Sequence, residues 1–453
     1  MEVQIEFSTP QKGKFSDIKL CYIDTSGMIQ KVSLNIDFDE LYEFGNETNS
    51  VAFEFFLISS IVYGVDNLIT RDEYSVNCWT REIKVCFPVY SVEKWNDAVD
   101  ILTDSLNFLT GDFWDISFQK LEMIRLFSYD KKKKKTFDKD NYQYISLFSG
   151  GLDSLVGVID FLESLPERKR ALLVSHFDSN AVGPSKDQTT LNSFLEGKYR
   201  NKSNWIQTKV HLSHYNSDGA KIEIEPSYRS RSLMFIAIGV YLQSSVKNTN
   251  ELYIPENGTI SLNYPMTPSR SSSLSTRTTH PYFFLKVQEL LNTLEINCNI
   301  KNPYSLLTKG ELVAQCKNVP NLKEICEASV SCSKSGRKMY WDQKTGTRHC
   351  GVCIPCVYRR SGLHKIGADN QRYGIDILNK ESPSSHDDIF ALATYLNDPL
   401  DIEQIKRGLI TNSSLLIDKL DEYAELIMRS REEVRTWIKE KGNDKIKSLF
   451  QIT

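Results

Sequence analysis

A short glycine-containing stretch near the middle of the chain has the residue types of a phosphate-binding loop. Its residues are Ser149, Gly150, Gly151, Leu152, Asp153 and Ser154. Adjacent glycines let the backbone approach an oxygen-rich ligand with its N–H groups turned inward, and the serines add hydroxyl donors. The aspartate suits a Mg²⁺ ion that bridges phosphates. We predict that this phosphate loop binds a ligand's phosphates with Mg²⁺; the alternative is an ordinary Gly-Gly turn.

Four of the ten cysteines are crowded into one short part of the C-terminal half. They are Cys332, Cys350, Cys353 and Cys356, in the spacing Cys-x17-Cys-x2-Cys-x2-Cys. Four thiolates can enclose a tetrahedral Zn²⁺ and leave no coordination position open, which is typical of a structural site. The same ligands also bind iron–sulfur clusters, and a redox pair of the close cysteines is a further alternative. We predict a structural zinc.

The phosphate loop lies between a predicted buried strand at 144–148 and a predicted helix at 154–165. Further strands are predicted at 171–177, 205–212 and 251–255, with a helix at 230–243. This alternation predicts an α/β fold, with a parallel sheet covered by helices on both faces. The loop would then lie at the carboxyl end of a strand, where such sheets bind ligands, and would face the positive end of a helix.

The rest of the chain is predicted to form four further segments. Residues 1–125 form an N-terminal α+β domain, whose alternating stretches at 3–7, 18–22 and 32–36 predict a strand meander. Residues 126–143 form a basic linker containing the run Lys131–Lys135, and 144–300 form the ligand-binding α/β domain. Residues 301–370 are loop-rich and hold the cysteines, and 371–453 form a helical extension.

Bulk properties exclude several classes of protein. The 453 residues suggest two to four domains, and the net charge of -3 gives no overall attraction to nucleic acid or to anionic lipid. No apolar run has the length and continuity of a membrane span, and the first residues do not have the pattern of a secretion signal. We therefore expect a cytoplasmic protein that does not contact a membrane.

The order Ser-Gly-Gly-x-Asp-Ser between a strand and a helix resembles the PP-loop ATP pyrophosphatases, whose fold is HUP-like, that is, adenine nucleotide α-hydrolase-like. The resemblance implies that the chain binds ATP. It also implies cleavage of ATP between the α- and β-phosphates, with AMP placed on a carboxylate or carbonyl oxygen that then reacts with a nucleophile. The Gly-Lys-Ser/Thr ending of a Walker loop is missing.

Within that family the chain is similar to 7-cyano-7-deazaguanine synthase, the QueC branch. The shared features are Ser331-Cys332, the run Cys350-Gly351-Val352-Cys353-Ile354-Pro355-Cys356-Val357-Tyr358-Arg359, Thr308-Lys309-Gly310-Glu311 and Arg231-Ser232-Leu233. The chain departs from this enzyme at 175–180 and at 255–258, and by its N-terminal domain and helical tail. This layout resembles QueC-like proteins encoded in bacterial antiphage operons.

The resemblance implies an ATP-dependent carbon–nitrogen ligase that adenylates a 7-deazaguanine carboxylate and forms an amide or a nitrile. Lys309 and Arg231 would neutralise phosphate charge in the transition state, although Lys309 also suits an ordinary helix start. His176 would act as a base for the amine, or else is a structural histidine.

The N-terminal domain leads us to expect a protein partner from the same operon whose amine replaces ammonia. Two alternatives to this function are a PP-loop enzyme that modifies tRNA or DNA and a non-catalytic nucleotide-binding component of a defence complex.

Overall fold

The structure is a computed structural model that describes residues 1–8, 16–122, 124–126, 137–177, 184–266, 277–334, 349–379, 388–413 and 417–452. The lysine run Lys131–Lys135 of the predicted linker lies outside the described residues, and so do residues 178–180. The described strands are β1 (Glu2–Phe7), β2 (Ile18–Ile23), β3 (Ile29–Ile36), β4 (Glu82–Val89), β5 (Phe113–Lys120), β6 (Tyr142–Leu147), β7 (Arg170–Phe177), β8 (Ser203–Asn216), β9 (Glu251–Tyr253) and β10 (Asn299–Lys301). They form one sheet in the order β10-β9-β6-β7-β8-β3-β2-β1-β4-β5.

The half of the sheet formed by β6 to β10 is entirely parallel, as predicted. From β6 the chain steps outward to β7 and β8 on one side, and later returns to β9 and β10 on the other. The strand order therefore reverses between β6 and β9. In open α/β sheets the crevice at such a reversal is the usual ligand site. The phosphate loop follows β6 and lies at this point.

The N-terminal half of the sheet is attached through β8. Strands β1, β2 and β3 form the predicted antiparallel meander, and β4 and β5 extend it in parallel beyond β1. Residues 203–209 of β8 pair with β7, whereas residues from 210 to 216 pair with β3. The N-terminal unit and the α/β unit are thus joined in one continuous sheet, and their predicted boundaries stay predictions.

Helices cover the sheet and build the C-terminal region. They are α1 (Asp39–Gly45), α2 (Val51–Leu68), α3 (Arg71–Tyr74), α4 (Val92–Asp97), α5 (Val99–Thr110), α6 (Leu152–Ser164), α7 (Pro184–Lys198), α8 (Arg231–Gln243), α9 (Gly258–Leu262), α10 (Pro281–Thr293), α11 (Lys309–Ala314), α12 (Val319–Ile325), α13 (Ile354–Lys365), α14 (Ile389–Asn397), α15 (Ile402–Ser413), α16 (Leu420–Lys441) and α17 (Asp444–Leu449). The predicted C-terminal helical extension is present as α14 to α17.

Two hydrophobic cores sandwich the parallel strands. On β7, Leu172 and Val174 join the core that contains α2 and α8, whereas Ala171 and Leu173 join the core that contains α6 and part of α7. This alternation is expected of a strand with helices on both faces. Helix α2 is long and apolar enough to span a membrane by length and composition, but 94% of it is buried inside the fold. It serves here as a core helix.

Candidate functional site

The phosphate loop contains one backbone conformation, at Gly150, that glycine adopts far more easily than other residues. Gly150 has a φ of +86°, and a Cβ on it would lie 3.2 Å from Cγ of Gln188. Helix α6 begins directly after Gly151, an N-cap residue that makes no side-chain cap of its own. The Leu152 N–H donates to Oγ of Ser331 across 3.3 Å, and the Gly151 N–H donates to Oγ of Ser149 across the same distance. These long bonds involve the donors that a phosphate would use.

Residues from five parts of the chain, among them Pro355 of α13, line a single cavity of about 220 Å³ beside this loop. The loop contributes Ser149 and residues 151–154, and the segment after β9 contributes Pro255 and Glu256. Lys309 enters from α11, and Ser331 enters from the segment that precedes Cys332. The cavity therefore combines the predicted phosphate loop, the predicted lysine and a neighbour of the cysteine cluster, which are far apart in the sequence.

Asp153 and Lys309 form a buried ion pair at the wall of the cavity. The Lys309 ammonium contacts Oδ1 of Asp153, and Oδ2 accepts from the backbone N–H of Asn257 at 3.1 Å and from its amide at 2.7 Å. Burial alone would raise the pKa of Asp153, but Lys309 and these hydrogen bonds outweigh it and hold the pKa well below 3.8. Asp153 is therefore ionised. Its direct partners are protein groups, and its role toward Mg²⁺ stays a prediction.

Glu256 is a lining residue that the sequence analysis did not select. Burial and the neighbouring Asp153 carboxylate raise its pKa well above 4.5, and a hydrogen bond joins the two side chains. The raised pKa favours the protonated form of Glu256, which is the form that can donate to the Asp153 carboxylate. Its position immediately after the end of β9, beside the reversal in strand order, was a signal that could have indicated it.

Arg231 and His176 lie elsewhere in the fold, and neither lines the cavity among the described residues. Arg231 is the first residue of α8. The His176 ring packs 5.9 Å from that of Tyr63 on α2, and its Nε2 lies 3.2 Å from the carbonyl oxygen of Val210. Burial, together with the charge of Arg231, lowers the pKa of His176 well below 6.5. This environment favours the structural alternative for His176, and its role as a base stays a prediction.

The backbone of His176 nevertheless supports the phosphate loop. The Gln188 side-chain amide donates to the carbonyl oxygens of both His176 and Ser149, each at 3.1 Å. Gln188 lies on α7, whose polar sequence gave no helical prediction. It is a supporting residue that the sequence analysis missed, because no local pattern indicates which loop a buried glutamine contacts.

The four cysteines converge as predicted. All four are buried, and their Sγ atoms lie within 4.8 Å of one another. Two of the separations, Cys332 to Cys353 and Cys350 to Cys356, are 3.9 Å. A tetrahedral ion with Zn–S bonds of about 2.3 Å requires S–S separations of about 3.8 Å. The cluster therefore fits a single metal ion such as zinc, and all four cysteines would hold it.

A buried arginine connects the cysteine cluster to the phosphate loop. Arg359 follows Cys356 on α13, and its guanidinium donates to Oγ of Ser329 at 3.0 Å and to the carbonyl oxygen of Cys326. The segment that it holds pairs with the loop, since the Val330 N–H donates to the Gly150 carbonyl at 3.0 Å. A metal on the cysteines would thus stabilise one wall of the cavity.

Comparisons with known proteins identified no relative: no family model, no curated protein and no solved structure matches this chain.

Proposed function

We propose that this chain is a QueC-like PP-loop enzyme that uses ATP to adenylate a 7-deazaguanine carboxylate and then forms a carbon–nitrogen bond. Its layout resembles that of QatC, a QueC-like protein of the Qat antiphage defence system, so we propose a cytoplasmic role in antiviral defence. The observation that carries the proposal is that Ser149, residues 151–154, Lys309 and the segment before Cys332 line one cavity at the strand-order reversal.

The chemistry that we propose has two steps. The substrate carboxylate attacks the α-phosphorus of ATP, which forms an acyl-adenylate and releases pyrophosphate. An amine then attacks the acyl carbon, and AMP leaves as the amide forms. Where the amine is ammonia, the primary amide could be adenylated on its oxygen by a second ATP, and loss of AMP and a proton would give the nitrile; a secondary amide formed with a protein amine would stop at the amide. Mg²⁺ would screen the charge of the leaving pyrophosphate.

The residues of the cavity suit this reaction. The N–H groups of Gly151 and Leu152 can donate to phosphate oxygens, and the hydroxyls of Ser149 and Ser154 can add donors. Lys309 brings a positive charge, held in place by Asp153, to the side of the pyrophosphate. Zinc on the four cysteines would keep the Ser331 segment against the loop. The amine would come from ammonia or, as we favour, from a protein partner bound by the N-terminal unit.

The proposal predicts carboxylate-dependent formation of AMP and pyrophosphate from ATP, without ADP. The chain is incubated with ATP, Mg²⁺ and a 7-deazaguanine carboxylate, and nucleotides are separated by chromatography. Candidate partner proteins are added in parallel reactions, and mass spectrometry measures whether their mass increases by that of an adduct. ADP as the product, or ATP left intact with every carboxylate, would contradict the proposal. A shift of a labelled tRNA or DNA on a gel would favour the nucleic-acid alternative instead.

Variants of Lys309 make this experiment specific. Lys309→Met is expected to lower the rate at least about a hundredfold, because one charge contact in a transition state contributes that much. The single variant also leaves Asp153 buried without a cation, which could destabilise the fold. The double variant Asp153→Asn/Lys309→Met removes both charges. If it folds normally and is also inactive, the loss of activity is not caused by unfolding. The matched control is Lys439→Met on the exposed face of α16, which should retain full activity.

A further inference from the structure

The C-terminal helix α16 holds the residues on both sides of Lys309. The carboxylate of Glu433 accepts a hydrogen bond from the Thr308 hydroxyl at 2.6 Å. It also accepts from the Gly310 N–H, at 2.9 Å through Oε1 and at 3.0 Å through Oε2. Thr308 and Gly310 are the immediate neighbours of Lys309. One carboxylate of the tail therefore fixes the start of α11, the helix that carries the lysine.

Two glycines allow α16 and α13 to approach the Lys309 backbone closely. A Cβ on Gly310 would overlap the Glu433 carboxylate, so only glycine leaves room for it. On the other side of the lysine, a Cβ on Gly362 of α13 would lie 2.7 Å from Cγ of Lys309 and 3.1 Å from its carbonyl carbon. The Lys309 backbone is thus held between the helix of the cysteine cluster and α16, and it cannot shift without moving one of them.

Helix α16 also supports the opposite side of the ion pair. A Cβ on Gly258 would overlap the Leu426 side chain, so α16 packs directly against the start of α9. Gly258 follows Asn257, which donates two hydrogen bonds to Asp153. Arg429, one turn before Glu433, donates to Glu311 at 2.8 Å and to the Leu306 carbonyl at 2.8 Å. Both members of the Asp153–Lys309 pair therefore depend on the docked helix.

We propose that Glu433 is a positioning residue that sets the place of the Lys309 ammonium in the cavity, so that ATP turnover depends on the docked C-terminal helix. The proposal rests on the proposed function, in which Lys309 neutralises phosphate charge. Glu433 does not line the cavity itself, and it acts through the Thr308 hydroxyl and the Gly310 N–H. A misplacement of about 1 Å at such a group can lower a rate by on the order of a hundredfold.

The kinetic test compares Glu433→Gln and Glu433→Ala with the control Glu425→Gln, an exposed glutamate on the same helix. Glutamine keeps the size and one acceptor oxygen but loses the charge and the second acceptor, whereas alanine leaves Gly310 without a partner. We expect kcat for AMP formation to fall about tenfold in the glutamine variant and further in the alanine variant. The KM for ATP should change less than about threefold, and the control should be unchanged.

A second measurement needs no turnover. Lys309 is 4% exposed, so an amine-acylating reagent should label it slowly in the native protein. Peptide mass spectrometry should detect several-fold faster labelling of Lys309 in both Glu433 variants, with exposed Lys439 unchanged as the internal reference. Equal labelling and equal kcat in all variants would overturn the proposal, and so would an equal rise at the partly buried lysines Lys202 and Lys286. If the native chain turns over no ATP, the proposed function fails, and the labelling alone decides the role of Glu433.

Discussion

Gly150 is the residue whose replacement most directly tests the phosphate loop. At a φ of +86° an added Cβ is strained, and it would also press on Gln188. We expect Gly150→Ala to lower the free energy of unfolding by about 1–2 kcal/mol and to weaken stabilisation of the chain by ATP. Thermal unfolding with and without nucleotide measures both effects.

The matched control for this variant is Gly197→Ala on α7, where an added Cβ meets nothing within 4 Å. Alanine favours a helix over glycine by up to about 1 kcal/mol, so this variant should be neutral or slightly more stable. Equal behaviour of the two variants would mean that the loop backbone tolerates a side chain, and that the left-handed conformation at Gly150 is not required.

Individual side chains were predictable by type but not by partner. Asp153 and Lys309 were each selected from local motifs, yet nothing in either motif indicates that they form an ion pair. Such a pair depends on how α6 and α11 pack, and that packing is decided by many weak apolar contacts distant in the sequence. For the same reason His176 could be located on β7 but not assigned to one side of the sheet.

The stability of the C-terminal helices should depend on metal bound to the cysteine cluster. The four cysteines lie in one hydrophobic core with α13, α14 and α16. We expect one zinc ion per chain by elemental analysis. Chelation, or Cys353→Ser, should lower the thermal midpoint by at least about 5 °C, because metal binding is coupled to folding of this core. Exposed Cys78→Ser should leave both properties unchanged, and a native chain without metal would contradict the assignment.

Helices and strands with strong periodicity were predictable from the sequence. The strands of the N-terminal meander and the helices at 154–165 and 230–243 are present within a few residues. The stretch 92–109 has apolar residues at helical spacing that favour one helix, but it is divided at Ala98 into α4 and α5. Helix α7 escaped prediction because its exposed face is polar and its first residues carry no apolar repeat.

A buried charge network ties the N-terminal unit to the α/β unit. The guanidinium of Arg81 contacts Asp66 and Asp112, each at 2.5 Å, and Asp66 also accepts from the N–H and the hydroxyl of Ser230 at the start of α8. Arg81→Met would leave two carboxylates buried without this cation. We expect the free energy of unfolding to fall by about 3–5 kcal/mol, as measured by denaturant titration.

The pH dependence of this loss distinguishes charge from packing. Burial would raise the pKa of Asp66, but Arg81 and Ser230 outweigh it and lower the pKa below 3.8. In the native chain this group therefore contributes stability above its unfolded pKa and loses it as the pH falls through the folded value. In Arg81→Met the Asp66 carboxylate gains a proton more easily, so the deficit should shrink from pH 7 to pH 5. The exposed control Lys84→Met should stay within about 0.5 kcal/mol of the native chain at both pH values.

The joining of the two units in one sheet was not predictable. Local alternation indicates a strand, but it does not indicate which distant strand lies beside it, because the register is fixed by packing and by turn geometry. The 14 residues of β8 exceed the predicted stretch 205–212, and its pairing with β3 begins inside that stretch at Val210 and continues beyond it to Asn216.

The length of β8 also has a consequence for biosynthesis. Strand β3 ends at Ile36, but the segment that covers its free edge is completed only at Asn216. At roughly 5–20 residues per second, the ribosome takes about 10–40 s to add the intervening chain. Throughout that interval the nascent meander displays an open row of backbone donors and acceptors, which is the kind of surface that pairs with other chains. Slower translation or higher expression should therefore increase aggregation of this protein, and chaperones that bind nascent chains should reduce it.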